Sequence, residues 1–143
     1  MPSGRLLSSQ MLYQFSPTTA DSEPLVDVLF LLTPGFTDAA RDSNGTTYYC
    51  PDCAFLEGVL HYHPELRKRL DIRYIGFEKP RGEIVKLVGD ARQGCPNLIL
   101  DPNHHGASAA RRFHRSGERL HSDDTRVIVD YLAEQYGVMV AHF

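Results

Sequence analysis

The chain has 143 residues, of which 42% are hydrophobic, and it carries a formal net charge of -3. This length suits one compact domain, and the weak acidity gives no reason to expect a nucleic acid or an anionic membrane as a partner. Three cysteines are too few for a disulfide-rich secreted scaffold. The longest apolar run, Val26 to Leu32, is too short to span a bilayer, and no signal-peptide pattern opens the sequence. We therefore expect a cytoplasmic protein.

The first part of the chain differs in composition from the rest. Residues 1–23 are rich in Ser, Thr, Pro and Gln and show no sustained hydrophobic periodicity, which predicts a loose N-terminal leader. Apolar sequence begins directly after Pro24. We expect a single domain that covers residues 24–143.

Hydrophobic periodicity and turn signals predict seven elements in this domain. A compact apolar run at 25–33 is typical of a central strand buried on both faces. A long loop then leads to a helix that begins at Pro51 and breaks near His63-Pro64. The remaining predicted elements are a strand at 71–77, a helix at 83–90, strands at 95–100 and within 115–121, and a helix from Asp123 or Asp124 to Gly137. The order is β-α-β-α-β-β-α, which is an α/β pattern.

Two cysteines, Cys50 and Cys53, stand three positions apart at the start of the first predicted helix. A cysteine at a helix N-terminus faces free backbone N–H groups and the positive end of the helix dipole, and both favour the thiolate. Pro51 suits the first helical position because the N–H that it lacks has no partner there. We predict that Cys50 attacks a disulfide and that the more buried Cys53 resolves the mixed disulfide.

Three motifs resemble the thioredoxin-like superfamily, in its glutaredoxin and glutathione-transferase N-terminal form. Cys50-Pro51-Asp52-Cys53 matches the Cys-Pro-x-Cys dithiol, and Cys95-Pro96 stands at the place of the family's cis-proline. Asp124-Thr125 stands at the place of a Glu-Ser pair that holds the γ-glutamyl end of glutathione. The resemblance covers about residues 25–137. The overall pattern, with its long loop before the dithiol, also resembles a bacterial thioredoxin-like family of unassigned function.

This resemblance implies a thioredoxin-like fold with a four-stranded mixed sheet flanked by helices, and a thiol-disulfide oxidoreductase of glutaredoxin type. The dithiol would be catalytic. Pro96, as a cis-proline, would leave the backbone of Cys95 open to pair with a peptide or with glutathione. Asp124 and Thr125 would bind glutathione as a co-substrate, and protein disulfides would be the other partners. The chemistry needs neither a metal nor a bound cofactor.

Asp52 departs from the resemblance, since glutaredoxin-like and strongly oxidising relatives usually carry a neutral or basic residue at this place. A carboxylate there opposes the thiolate. At about 7 Å and an effective dielectric constant of about 40, the repulsion is roughly 1 kcal/mol. For a two-electron couple this is roughly 20 mV towards the reducing side. We therefore expect a reductant or isomerase rather than a strong oxidant.

Two other functions are compatible with the cysteine pair. Cys-x-x-Cys is also half of many zinc sites, and seven histidines are available. The sequence has no second such pair, however, and His61 and His63 point about 200° apart on a helix. The second alternative is a redox-silent binding module on the same fold, in which both cysteines are structural.

Three further features each allow two interpretations. Cys95 is either a second resolving or sensing thiol or a small buried strand residue. Lys79 and Arg81 either meet the glycine carboxylate of glutathione or are solvated surface charges. The His- and Arg-rich segment 103–115 has the composition of a basic or metal-binding loop, but its predicted place between two strands, remote from the dithiol, favours a surface loop.

Overall fold

A computed structural model describes residues 26–103 and 109–143, so the predicted leader at 1–23 and the centre of the His- and Arg-rich segment lie outside the described residues. The described strands are β1 Val28–Leu32, β2 Phe36–Thr37, β3 Thr47–Tyr48, β4 Asp71–Ile75, β5 Asn97–Ile99, β6 His114–Ser116 and β7 Arg119–Ser122. The described α-helices are α1 Pro51–Tyr62, α2 Leu66–Arg69, α3 Gly82–Val88 and α4 Thr125–Tyr136, and a 3-10 turn at Ala109–Arg112 precedes β6.

β1 is an interior strand of a five-stranded mixed sheet with the order β4-β1-β5-β7-β6. It pairs in parallel with β4 and antiparallel with β5. The parallel pairing with β4 is possible because α1 and α2 form the crossover between these two strands. All five residues of β1 are apolar and buried, so the predicted strand with burial on both faces is confirmed.

The side chains of β1 alternate between two apolar cores, as the two-residue repeat of a strand requires. Leu29 and Leu31 belong to the larger core, which also takes residues from α1 and α4. Val28 and Phe30 belong to a smaller core that includes Ile84 of α3. Helices therefore cover both faces of the sheet, and the α/β class is confirmed.

The prediction of four strands is wrong, because the sequence at 115–121 contributes to two strands rather than one. β6 and β7 form an antiparallel hairpin in which Ser116 pairs with Arg119. The two-residue turn between them begins with Gly117, whose φ is +59°. Glycine adopts this left-handed conformation without a steric penalty, as a type II′ turn requires at its first position. β6 is therefore an additional edge strand.

The segment between β1 and α1, predicted to be a long loop, contains the short hairpin of β2 and β3. The backbone N–H of Gly35 donates to the carbonyl of Tyr48 at 2.8 Å. Phe36 stacks on Phe77, which follows β4, with 4.5 Å between ring centroids. These contacts fix the position of Tyr48, which lies two residues before Cys50.

Local signals predict the helix ends well. α1 ends at Tyr62, directly before the predicted break at His63-Pro64. Asp124 caps α4 through its side chain, and Gly137 ends this helix in the left-handed conformation. Within the described ranges, no helix has the length and apolar character needed to cross a membrane.

Asp27, directly before β1, is a buried polar centre with 2% exposure. One oxygen of its carboxylate accepts the backbone N–H of Asp101 at 2.7 Å. The other oxygen accepts the hydroxyls of Tyr131 at 3.2 Å and Tyr136 at 2.7 Å. The carboxylate thereby ties the start of β1 to α4 and to the chain that leaves β5.

Candidate dithiol site

The two cysteines of the motif lie at the N-terminus of α1. Cys50 is the N-cap residue and Pro51 follows within the first turn, as predicted. The backbone N–H of Cys53 donates to Cys50 Sγ at 3.1 Å. This N–H is one of those that a helix leaves without a partner at its start. The Cys50 sulfur therefore occupies the position at which a helix favours an anion.

Cys53 is buried next to Cys50, with 3% exposure. Burial raises the pKa of the Cys53 thiol far above its usual value, and a hydrogen bond with Cys50 raises the pKa further. The backbone N–H of Leu32, at the end of β1, donates to Cys53 Sγ at 3.4 Å and offsets a part of this rise. Because Cys50 is only half-buried, it is the accessible thiol of the pair and Cys53 is the protected one.

Cys95 and Pro96 reach the dithiol from the segment that enters β5. The Cys95–Pro96 peptide bond is cis, as the resemblance implies. Cys50 Sγ lies 3.6 Å from the carbonyl oxygen of Cys95. Cys95 is half-buried and precedes the strand, which begins at Asn97. The structure thus brings Cys95 and Pro96 together with the predicted dithiol.

Arg81 is a buried residue, so its interpretation as a solvated surface charge is wrong. Its side chain is 8% exposed. Nε and one terminal nitrogen donate to the carbonyl of Phe77 at 3.1 and 2.7 Å, and the other terminal nitrogen donates to the carbonyl of Gln93 at 2.7 Å. The guanidinium therefore joins the chain segments on either side of α3. Lys79, in contrast, is exposed.

Arg81 also influences the third cysteine. Burial raises the pKa of the Cys95 thiol from 9.0 to about 11, and the positive charge of Arg81 opposes this rise. A smaller upward contribution comes from the charge of Cys50. No local signal predicts this effect, because the proximity of Arg81 to Cys95 depends on the tertiary structure.

Asp124 and Thr125 line a cleft of about 490 Å³ together with Asp52 of the dithiol motif. Asp124 Oδ1 accepts the backbone N–H groups of Arg126 at 2.9 Å and Val127 at 3.2 Å. The Thr125 hydroxyl is buried and has no hydrogen-bond partner among the described residues. The residues predicted to bind glutathione therefore face the same cleft as Asp52, which lies between the two cysteines.

A second cavity, of about 330 Å³, is lined by both cysteines of the dithiol and by Tyr49, Glu57 and Tyr74. Tyr49 is largely exposed, whereas Glu57 forms an ion pair with Arg67 at 3.0 Å and accepts the hydroxyl of Tyr74. These three residues are not among those predicted from the sequence. The available signal was the spacing of four between Cys53 and Glu57, which places both on one helix face.

The structure also bears on the zinc alternative. In the part of the chain that the structure describes, no group of three or more His, Cys, Asp or Glu side chains is arranged to hold a metal ion. His104 and His105 of the His- and Arg-rich segment lie outside the described residues. Arg112, in the described part of this segment, forms an ion pair with Asp130 at 2.8 Å.

Comparison with known proteins identifies a family. No curated protein and no solved structure matches the chain. A family model described as "Protein of unknown function (DUF3088)" matches residues 26–140. This range contains every candidate site residue from Cys50 to Thr125 and most of the chain. The protein therefore belongs to the DUF3088 family.

Proposed function

We propose that this protein is a thiol-disulfide oxidoreductase of glutaredoxin type with a thioredoxin-like fold. The position of the Cys50 sulfur carries the proposal. It accepts a backbone N–H at the start of α1, lies next to the buried thiol of Cys53 and contacts the carbonyl of Cys95. An accessible thiol at a helix N-terminus beside a protected second thiol is the arrangement that disulfide exchange requires.

The strand and helix order supports the thioredoxin-like fold in this proposal. Without the short hairpin of β2 and β3 and the edge strand β6, the chain follows the order β-α-β-α-β-β-α that the resemblance implies. α1 and α2 together occupy the place of the first helix. The dithiol precedes the first of these helices, and the cis-proline precedes β5, which matches the expected order of motifs.

The proposed reaction has two exchange steps. The Cys50 thiolate attacks one sulfur of a substrate disulfide, forms a mixed disulfide and releases the other substrate sulfur as a thiolate. The Cys53 thiol then gives up its proton and attacks the Cys50 sulfur, which releases the second substrate thiolate and leaves a Cys50–Cys53 disulfide. Two electrons pass from the protein to the substrate. The charge of Cys50 contributes to the high pKa of Cys53. Cys50 loses this charge in the mixed disulfide, so Cys53 is then easier to ionise for the second step.

The charges around the site favour a reductant or isomerase. Asp52 lies in the first turn of α1, and Asp123 and Asp124 line the same cleft. Carboxylates near a thiolate destabilise the reduced, charged form of the dithiol relative to the disulfide. This effect lowers the reduction potential, which is the direction expected from Asp52 alone.

Oxidation of the reduced protein with diamide should produce an intramolecular Cys50–Cys53 disulfide. Its reduction potential should lie in the range from thioredoxins to protein disulfide isomerase, about -270 to -180 mV. Peptide mass spectrometry identifies the linkage, and equilibration in glutathione buffers of defined ratio measures the potential. If Cys50 and Cys53 stay unlinked after diamide treatment, the redox-silent binding module becomes the better proposal.

The cleft at the start of α4 supports glutathione as the co-substrate. Asp124 has one carboxylate oxygen that does not cap the helix, and this oxygen suits the ammonium of a γ-glutamyl group. The positive end of the α4 dipole suits its carboxylate, and the Thr125 hydroxyl, which has no partner among the described residues, would join it after a rotation of its side chain. The negative charges of Asp52 and Asp123 add to the attraction for the ammonium.

Asp124→Asn should raise the KM for glutathione about two- to fivefold, because an exposed ion pair contributes about 0.4–1 kcal/mol. Asn retains the helix cap, so the free energy of unfolding should change little. Turnover driven by dithiothreitol should also be unchanged. Asp130→Asn is the matched control, since Asp130 lies on the same helix but pairs with Arg112 and does not line the cleft. An unchanged KM in Asp124→Asn would favour a protein reductant.

A further inference from the structure

We infer that Cys95 is a third redox thiol of this site, which displaces a bound substrate from Cys50 by forming a Cys50–Cys95 disulfide. The inference rests on the proposed function, because Cys50 must first have attacked a disulfide. Cys95 would then have a chemical role of its own, in addition to the pairing of its backbone with a substrate.

The contact between Cys50 and Cys95 is the geometric basis. Cys50 Sγ lies 3.6 Å from the carbonyl oxygen of Cys95, so the two residues touch. Both are half-buried and pack against the same apolar core as the buried Cys53. The charge of Cys50 acts on Cys95, and the charge of Cys95 acts on Cys53. The three thiols therefore form one electrostatically connected group.

Arg81 supplies a buried positive charge beside Cys95. Its guanidinium donates to the carbonyls of Phe77 and Gln93, which are neutral groups. None of the ion pairs among the described residues includes Arg81. Its charge acts on the Cys95 thiol and favours the thiolate, and this effect is larger than the opposing effect of the Asp123 carboxylate.

Cys95 is easier to ionise than Cys53, the other thiol that can attack Cys50. The pKa of Cys95 is raised to about 11, which leaves about a hundredfold less thiolate at neutral pH than a pKa of 9.0 would. Burial and the hydrogen bond with Cys50 raise the pKa of Cys53 further still. A substrate held on Cys50 therefore faces two resolving thiols, of which Cys95 is the more accessible.

The exchange balances without an external oxidant or reductant. The Cys95 sulfur attacks the Cys50 sulfur of the mixed disulfide, the bond between Cys50 and the substrate breaks, and the new Cys50–Cys95 bond forms. The proton of the Cys95 thiol passes to the leaving substrate thiolate. Cys53 can then attack Cys50, release Cys95 as a thiol and produce the Cys50–Cys53 disulfide. The same two electrons are transferred on either route.

The test compares Cys53→Ser with the double variant Cys53→Ser/Cys95→Ser, each treated with oxidised glutathione. In Cys53→Ser, glutathione should be bound only transiently, and peptide mass spectrometry should identify a Cys50–Cys95 disulfide. In the double variant, the Cys50–glutathione mixed disulfide should persist. Alanine replaces serine at both positions if the serine variants do not fold, as judged by circular dichroism and urea unfolding.

Two outcomes separate the inference from the proposed function. If Cys53→Ser accumulates a stable Cys50–glutathione adduct while Cys95 stays reduced, the inference is wrong and the proposed function stands. If the folded double variant forms no adduct on Cys50, the proposed function itself fails, and the inference fails with it.

Discussion

Cys50→Ser should lower the rate of disulfide reduction at least about a thousandfold, the scale of loss expected when a covalent nucleophile is removed. Cys53 cannot replace it, because burial raises the pKa of the Cys53 thiol and keeps it protonated and inaccessible. Turnover with a glutathione mixed disulfide as substrate measures the loss. Urea unfolding of the reduced proteins checks that the variant retains its fold.

Alkylation of the reduced wild-type protein tests the same assignment independently of the substrate. Iodoacetamide at neutral pH should modify Cys50 first and Cys53 only slowly, because alkylation requires an accessible thiolate. Mass spectrometry of peptides from timed samples gives the two rates. Equal rates for Cys50 and Cys53 would contradict the division into an attacking and a resolving cysteine.

Asp27→Ala should lower the free energy of unfolding by about 3–5 kcal/mol, because it leaves three hydrogen-bond donors without their acceptor. These donors are the N–H of Asp101 and the hydroxyls of Tyr131 and Tyr136. The urea midpoint should fall while the slope m stays nearly constant. Asp27 and the dithiol lie at opposite ends of β1, so disulfide exchange should persist under conditions in which the variant is folded.

Tyr136→Phe is the graded control for this prediction. It removes one donor and leaves the carboxylate with its other two partners, so the expected loss is about 1 kcal/mol. If Asp27→Ala cost no more than Tyr136→Phe, the carboxylate would not be the centre that joins β1 to α4 and to the chain after β5.

The elements that could be predicted from the sequence depend on neighbours in the chain. The start of α1 follows from Cys50 and Pro51, and the ends of α4 follow from Asp124 and Gly137. In each case one side chain or one backbone conformation satisfies groups within a few residues. The apolar residues of β1 likewise predict a strand that needs burial on both faces, whichever elements cover it.

The number of strands depended on a single turn. The sequence at 115–121 predicts one partner strand, although Gly117 lies within it. Gly117 adopts a positive φ, and the chain reverses there to form the β6–β7 hairpin. Glycine permits a turn at this position but does not force one. Whether the segment forms one strand or two therefore depends on a tertiary contact, the pairing of β7 with β5.

In the candidate site, a dithiol at a helix start is predictable from the sequence, since Cys50, Pro51 and Cys53 are close in the chain. The surroundings of these thiols depend on how distant parts of the chain pack together. Cys95 is 45 positions from Cys50, and only the family resemblance predicted their proximity. The burial of Arg81 beside Cys95 and of Asp27 beneath two tyrosines was not predicted at all. The neighbouring sequence does not distinguish a charged residue that is buried from one that is exposed, because its burial depends on partners that are distant in sequence.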